Sequence, residues 1–102
     1  MDLRPRSPSY LHHQWFRLDA VGLQALFVPA GCAHGFRTLE DDSEVLYEMS
    51  DYFAPDLACG IRWNDPALGI EMPGEVVCIN PRDAAYPDLD TETLAVFEAY
   101  TR

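Results

Sequence analysis

The strongest constraint on the fold is a tight corner in residues 28–36, which read VPAGCAHGF. Pro29 presets the backbone torsion φ, and Gly31 supplies a conformation that other residues avoid, so this P-x-G pattern predicts a sharp turn. A strand is expected to end at Val28. His34 follows the turn at a position from which its ring can face inward. The corner therefore predicts β-structure with a histidine lining its interior.

Short apolar segments separated by turn signals follow one another along the chain. The segments predicted as strands are 15–18, 24–28, 36–39, 44–49, 60–63 and 76–79, with a short extended piece at 69–71. The alternation is cleanest in 44–49, where Val45, Tyr47 and Met49 share one face. Strands this short and this closely spaced predict an all-β barrel or sandwich.

One helix is predicted near the end of the chain, at 91–100. Leu94 and Phe97 lie at helical spacing there, and Asp90 or Thr91 can cap the first turn. The length of 102 residues allows one domain, 1–102.

The charge of the chain limits its partners. Seventeen acidic residues oppose seven basic ones, for a net charge of −10, so nucleic acid and anionic membranes are not expected to bind. The seven basic residues are all arginines, and the lack of lysine excludes Schiff-base chemistry and P-loops. An anionic ligand could still bind a local cluster drawn from Arg4, Arg6, Arg17 or Arg37.

The cysteines and the hydropathy pattern predict the cellular compartment of the protein. Cys32, Cys59 and Cys78 are odd in number and lack metal-binding spacing, which is typical of reduced cytosolic thiols. The sequence shows no signal-peptide pattern, and no apolar run approaches the roughly 20 residues of a membrane span. We therefore expect a cytoplasmic protein.

Four blocks of sequence between Val28 and Asp88 carry a family resemblance. They are the corner at 29–36, VLY at 45–47 with DYFAP at 51–55, GIRWNDPALGI at 60–70, and NPRDAAYP at 80–87. In this order they resemble the dTDP-4-dehydrorhamnose 3,5-epimerases of the cupin superfamily, with weaker similarity at DLR (2–4) and SP (7–8). The resemblance implies a cupin-type jelly roll or partial β-barrel with a short C-terminal helix, and an epimerase-family core at 28–88.

One family motif has no counterpart in the sequence. The family's R-G-x-H-x-Q motif supplies the catalytic base histidine and an arginine for the diphosphate, so the resemblance implies a truncated member with half a barrel. Exposed sheet edges invite pairing with another chain. We therefore expect a homodimer in which two copies complete each other's sheets.

The resemblance also implies a reaction, the inversion of carbons 3 and 5 of a dTDP-4-keto-6-deoxyhexose without metal or cofactor. Such a site needs a base on one face of the sugar, a proton donor on the other, and stabilisation of the enolate. Tyr47 matches the family tyrosine proposed as the donor, and Asp83 matches the aspartate that orients the base. As alternatives, Tyr47 can simply fill the core between Val45 and Met49, and Asp83 can cap a turn after Pro81.

Four residues match substrate-binding positions of the family. His34 matches the corner histidine that lines the pocket floor; as a lone histidine it is not a metal site, which needs three or more ligands. Tyr52 and Phe53 match an aromatic pair, usually two tyrosines, that could stack on a thymine or sugar face. Arg62 is the fourth. The alternatives are structural packing for the aromatic pair and a rim charge that serves the fold for Arg62.

Three other residues could replace the missing base: His12, His13 and Glu48. Glu48 is expected to face away from Tyr47, since neighbouring strand residues alternate faces. Three functions stay open. The chain could be an isomerase of deoxysugar biosynthesis acting at one or two centres, a non-catalytic sugar-nucleotide-binding protein or partner subunit, or a folded gene remnant.

Overall fold

Regular secondary structure is sparse in this protein, whose structure is a computed structural model that describes residues 1–90 and 92–95. A 3-10 helix spans Pro55–Leu57, and a short α-helix, α1, spans Pro81–Ala84. The backbone is helical again at 92–95. An antiparallel bridge joins Asp2 to Cys32. The radius of gyration is 14.5 Å, against about 12.8 Å for a compact domain of this length, so the chain is loosely packed.

The predicted all-β jelly roll, or partial β-barrel, is wrong for this chain. Strands account for 2% of the residues, and no sheet forms in the described part of the chain. The predicted strands at 24–28, 44–49 and 76–79 make no backbone hydrogen bonds there. A strand exists only where a second strand lies within about 4.8 Å to pair with it. The apolar alternation at 44–49 predicted a strand, but alternation within one segment does not supply the second strand that pairing requires.

Two short helical segments near the C-terminal end of the chain have the caps that the local sequence favours. In α1, Pro81 occupies the first turn, and the side chain of Asn80 accepts a 2.9 Å hydrogen bond from the Arg82 amide. The predicted cap at Asp90 is confirmed, because its carboxylate accepts hydrogen bonds from the Thr93 amide and hydroxyl at 2.8 and 2.7 Å. Residue 91 and residues 96–100 of the predicted helix lie outside the described residues.

A polar network, which we term the N-terminal cluster, comprises Asp2, Arg4, Ser7 and Ser9. The buried carboxylate of Asp2 accepts hydrogen bonds from the Arg4 amide and guanidinium at 2.9 Å and from both serine hydroxyls at 2.6 Å. Backbone hydrogen bonds from Leu3 to Gly31 and from Ala33 to Met1 tie the same segment to the corner. The cluster thereby fixes the corner that precedes His34.

A second network, the C-terminal cluster, joins residues 60–68 to residues 86–89. Arg62 donates to the Tyr86 carbonyl at 3.0 Å and pairs with Asp88. Asp65 is 2% exposed and accepts hydrogen bonds from the Ala67 and Leu89 amides at 2.9 and 2.6 Å. Gly60 lies directly under the Tyr86 ring, where a Cβ atom would overlap the ring.

The chain between the two clusters surrounds an open hollow of about 3620 Å³. Among the described residues, the buried hydrophobic side chains are Leu3 and Leu68, and each lies within or beside one of the clusters. No described helix has the length and apolar character needed to cross a membrane.

Candidate functional site

Four of the six residues predicted for the site lie along the hollow, whose lining extends over more than half of the chain. His34, Tyr47, Tyr52 and Asp83 line it, whereas Phe53 and Arg62 are absent from its lining. Among the described residues, no hydrogen bond joins any two of the four. The four therefore face a common space without forming a preassembled catalytic group.

The predicted tight corner is confirmed, and it positions His34. Gly31 has a φ of 85°, a left-handed conformation that favours glycine, and the Cys32 amide donates to the Pro29 carbonyl at 3.2 Å. Hydrogen bonds between Ala33 and Met1 then hold the outgoing chain. His34 is exposed at the first position beyond this anchored turn.

The aromatic side chains of the site are open to solvent. Tyr47 is 73% exposed, so it does not fill a core between Val45 and Met49. Tyr52 is 96% exposed and Phe53 is 71% exposed, which leaves both rings free of packing. Side chains in this state could stack on a planar ligand, but no neighbouring side chain fixes their orientation.

Asp83 lies in the first turn of α1, where the Asn80 cap and Pro81 determine its position. Its carboxylate lies 3.9 Å from the Arg82 guanidinium, and both side chains are more than half exposed. An exposed pair of this kind contributes little to stability. In the described part of the chain, Asp83 has no hydrogen bond to a histidine, so its role as an orienting group stays a prediction.

Arg62 is occupied by contacts within the protein. Its guanidinium donates to Asn64 Oδ1 at 2.6 Å, to the Tyr86 carbonyl at 3.0 Å, and to Asp88. These contacts hold the C-terminal cluster together, which fits the alternative that Arg62 serves the fold. A substrate contact by Arg62 stays a prediction.

The other base candidates share the hollow with Tyr47: His12, His13 and Glu48 all line it. The backbone of His12 is anchored, because its carbonyl accepts from the Asp2 amide at 3.0 Å and its amide donates to Ser9 at 2.9 Å. Within the described residues, no three histidine, cysteine or acidic side chains are grouped so that they could hold a metal ion.

Two arginines provide the positive charge of the hollow, Arg17 and Arg37. Arg37 packs against Gly74 and donates from Nη2 to the Glu75 carbonyl at 2.9 Å. Its Nη1 atom is buried and has no hydrogen-bond partner among the described residues. A buried guanidinium nitrogen without an acceptor is energetically costly, and an anionic oxygen would satisfy it.

The predicted site did not include the two buried carboxylates, Asp2 and Asp65. Hydrogen bonds from Arg4, Ser7 and Ser9 hold the pKa of Asp2 far below its usual range. The DLR and SP letters flanking this cluster were the available signal, because an aspartate that precedes serines by a few residues can accept from them. For Asp65, the partner amide of Leu89 lies 24 residues away, and no local pattern reveals such a contact.

The chain is similar to a group of nucleotide-sugar enzymes. A family model described as dTDP-4-dehydrorhamnose 3,5-epimerase matches residues 1–91. A Salmonella typhimurium protein named dTDP-4-dehydrorhamnose 3,5-epimerase is 38% identical over 95 residues, covering 92% of this chain and 52% of the relative. A Pseudomonas aeruginosa protein of the same name is 43% identical, covering 72% of this chain and 40% of the relative.

Another relative is named as an epimerase of carbon 3 alone. The Streptomyces niveus dTDP-4-dehydrorhamnose 3-epimerase is 34% identical over 83 residues, covering 81% of this chain and 40% of the relative. The chain thus spans about half the length, or less, of the curated relatives it matches. No solved structure matches the chain.

Proposed function

Because the chain belongs to the dTDP-4-dehydrorhamnose 3,5-epimerase family, we propose that it acts as an isomerase on a dTDP-4-keto-6-deoxyhexose in deoxysugar biosynthesis. The observation that carries the proposal is the family match over residues 1–91, supported by relatives that bear the epimerase name. One relative is named a 3-epimerase, so inversion at carbon 3 alone is the narrower form of the proposal.

The proposed chemistry is proton exchange beside a ketone. A base removes a hydrogen from the carbon next to the carbonyl, and an acid returns a proton to the opposite face. Tyr47 is the proposed proton donor. His34 and Tyr52 line the same hollow as Tyr47 and are the proposed contacts to the sugar or the thymine. Phe53 and Arg62 remain predicted contacts without this support. The reaction needs no metal or cofactor.

Arg17 and Arg37 are the proposed partners of the diphosphate. Both line the hollow, and the unpartnered Nη1 atom of Arg37 lacks the acceptor that a phosphate oxygen would supply. Guanidinium groups bind phosphate oxygens through charge-assisted hydrogen bonds. This arrangement supports an anionic nucleotide as the ligand.

His12 and His13 are the histidines proposed to replace the family base, with Asp83 as the orienting carboxylate. Support comes from their place on the same hollow as Tyr47. Histidine is the side chain that most often transfers protons near neutral pH. Glu48 is the remaining candidate for the base.

Deuterium exchange tests the proposed activity. The protein is incubated with dTDP-4-keto-6-deoxyglucose in D₂O, and carbons 3 and 5 of the sugar are followed by NMR. We expect deuterium at carbon 3, carbon 5 or both, faster than without protein. The variant Tyr47→Phe should abolish the excess, whereas Tyr10→Phe, whose residue does not line the hollow, should leave it unchanged. Incorporation at the rate without protein would reject the activity.

A second candidate function is non-catalytic binding of a sugar nucleotide. The observation that favours it is the lack of a histidine bonded to Asp83 in the described part of the chain. Titration with dTDP distinguishes the two functions. Saturable heat of binding without deuterium exchange would support the binding function, and no heat together with no exchange would contradict both. If the protein showed neither heat of binding nor exchange, the remaining hypothesis would be a folded gene remnant without function.

We also propose that the protein is cytoplasmic, and that neither nucleic acid nor membrane is its partner. The three free cysteines support the location. The net charge of −10 supports the exclusion of nucleic acid and anionic membranes, because binding to phosphate-rich surfaces requires an excess of basic side chains. The expected homodimer stays a prediction.

A further inference from the structure

The helix α1 carries Asp83, and in the described part of the chain it makes no hydrogen bond to another segment. The hydrogen bonds of residues 80–85 join these residues only to one another, through the Asn80 cap and the amides of Ala84 and Ala85. Local bonds of this kind give the helix its shape, but they do not determine where it lies in the protein. The place of Asp83 therefore depends on the segments that enter and leave α1.

The two flanking segments differ in how closely they are tied to the rest of the protein. Before α1, residues 76–79 make no hydrogen bond in the described part of the chain, and the nearest tertiary one is at the Glu75 carbonyl. After α1, the carbonyl of Tyr86 accepts a 3.0 Å hydrogen bond from Arg62. Each residue adds up to about 3.5 Å of reach. Because Tyr86 is much nearer to Asp83 along the chain than Glu75 is, it restricts Asp83 more closely.

Tyr86 is held at two points. Its carbonyl accepts from Arg62, and its ring lies against the backbone of Gly60, where a Cβ atom would be 2.4 Å from the ring. Pro87 follows, and a residue that precedes proline is restricted to extended backbone conformations. Tyr86 is thus the restrained residue that lies nearest to Asp83 on its C-terminal side.

The guanidinium of Arg62 is suited to hold a backbone carbonyl in place. The side chain is 22% exposed, and its three nitrogens donate to Asn64 Oδ1, to the Tyr86 carbonyl and to Asp88. A planar guanidinium with its fixed fork of N–H donors can hold three acceptors at once, whereas the ammonium of lysine is a point charge. Asn64 and Asp88 therefore fix the plane of the guanidinium that holds Tyr86.

We propose that Arg62 is a positioning residue for Asp83, because its hydrogen bond to the Tyr86 carbonyl sets the place of α1 and of the carboxylate on it. The proposal rests on the proposed function in one respect, namely that Asp83 orients the base of the reaction. A group of this kind must be held within about 0.5 Å of its productive place, and a misplacement of about 1 Å can cost about a hundredfold in rate. Arg62 thus acts on the reaction through Asp83, without having to touch the substrate.

Backbone dynamics test the positioning in the whole protein without substrate. Amide ¹⁵N relaxation gives order parameters for Asp83 and Ala84, which are about 0.85 in a rigid backbone and below about 0.6 in a flexible one. We expect rigid values in the unsubstituted protein, a fall toward the flexible value in Arg62→Ala, and a smaller fall in Arg62→Lys. The amides of Leu3 and Ala33 in the N-terminal cluster report whether the rest of the protein stays folded. If Arg62→Ala unfolds them, Arg62→Lys decides. Flexible values in the unsubstituted protein, or no fall in the deciding variant, would overturn the proposal.

Two matched variants separate the contact with Tyr86 from the charge of Arg62. Asp88→Asn removes the charge of a partner whose side chain is 63% exposed but leaves the hydrogen bond to Tyr86, so the order parameters should stay unchanged. Arg6→Ala removes an exposed arginine and should also leave them unchanged. A fall in Asp88→Asn as large as that in Arg62→Ala would show that the ion pair, and not the carbonyl contact, holds α1, and it would overturn the proposal.

A double-mutant cycle on the deuterium exchange separates positioning from a direct substrate contact. We expect Arg62→Lys to slow the exchange at least about tenfold. The double variant should be no slower than Asp83→Asn alone, since Arg62 acts through Asp83. The affinity of Arg62→Lys for dTDP should change by less than about twofold. Losses that multiply in the double variant, or dTDP binding weakened about tenfold, would show that Arg62 acts on the ligand itself and would overturn the proposal. No exchange by the unsubstituted protein would reject the proposed activity, and the order parameters would still decide whether Arg62 positions Asp83.

Discussion

The two polar clusters and the segments that line the hollow differ in their hydrogen bonding and burial. In the N-terminal and C-terminal clusters, single buried carboxylates collect several hydrogen bonds each. In segments 24–28, 44–49 and 76–79, apolar side chains are exposed and the described backbone has no hydrogen-bond partner within the chain. Hydrogen bonds to buried carboxylates therefore hold the two clusters, whereas the apolar segments stay exposed because no second strand pairs with them in the described part of the chain.

The difference shows what each kind of contact needs. The five groups around Asp2 lie within seven residues of it along the chain, so little loop-closure entropy opposes their assembly. Burial of apolar side chains requires several segments to converge at once. Leu3 and Leu68, the buried hydrophobic residues of the described part, are those that the clusters bring into place.

The largest effect is expected from Asp2→Ala. The substitution leaves the Arg4 guanidinium and two serine hydroxyls without their acceptor, and it frees the segment that anchors the corner. We expect the thermal unfolding midpoint to fall by about 10 °C or more, and the amides of Leu3 and Ala33 to lose protection from hydrogen exchange. As a control, Asp41→Ala removes an exposed carboxylate and should leave both unchanged. An unchanged midpoint for Asp2→Ala would show that the cluster does not support the fold.

The next largest effect is expected from Asp65→Ala in the C-terminal cluster. The amides of Ala67 and Leu89 would lose their acceptor, at a cost of about 1–3 kcal/mol in the free energy of unfolding. Urea unfolding followed by tryptophan fluorescence would measure this loss. Asp65→Asn retains one acceptor oxygen and should lose less, and Asp56→Ala, an exposed control, should lose nothing. Equal losses for the Ala and Asn variants would contradict the proposed hydrogen bonding.

A smaller, pH-dependent effect follows from the lowered pKa of Asp2, which hydrogen bonds from Arg4, Ser7 and Ser9 cause. A carboxylate with a lowered pKa in the folded state stabilises the fold fully above its unfolded pKa, about 3.9. As pH falls below that value the unfolded chain takes up the proton first, so the contribution shrinks. The stability difference between the wild type and Asp2→Asn should be constant from pH 7 to about 5 and decrease from about 4 downwards. Urea unfolding across this range would measure it. A difference that grows as pH falls would contradict the assignment.

The smallest effect on stability is expected in the hollow. Val77→Lys changes a side chain that is 93% exposed, so the free energy of unfolding should change by less than about 0.5 kcal/mol. Urea unfolding of Val77→Lys beside Val21→Lys would check this. A loss of more than about 1 kcal/mol for Val77→Lys alone would mean that the chain buries this surface itself, and the contrast between the clusters and the hollow would no longer hold.

The successes of the sequence-based predictions are local. The P-x-G pattern predicted the left-handed Gly31 turn. Asp90 was one of two residues predicted to cap a helix at 91–100, and it caps the described turn at 92–95. These conformations depend on residues within a few positions. Alternation in 44–49 predicted a strand and was wrong for this chain, since pairing depends on a neighbour that the pattern does not contain. Of the site residues, four share the hollow, and their chemical roles stay predictions.

By itself, the sequence determined the family, the corner before His34, the helix caps and the acidic charge, since motif letters, local torsions and composition need no tertiary partner. Only the tertiary structure decided that Asp2 and Asp65 are buried, that Arg62 is bonded to Tyr86 and Asp88, and that the apolar segments surround an open hollow. The physical reason is separation along the chain. Arg62 and Asp88 are 26 residues apart, and the contact between them exists only where the backbone returns to close it.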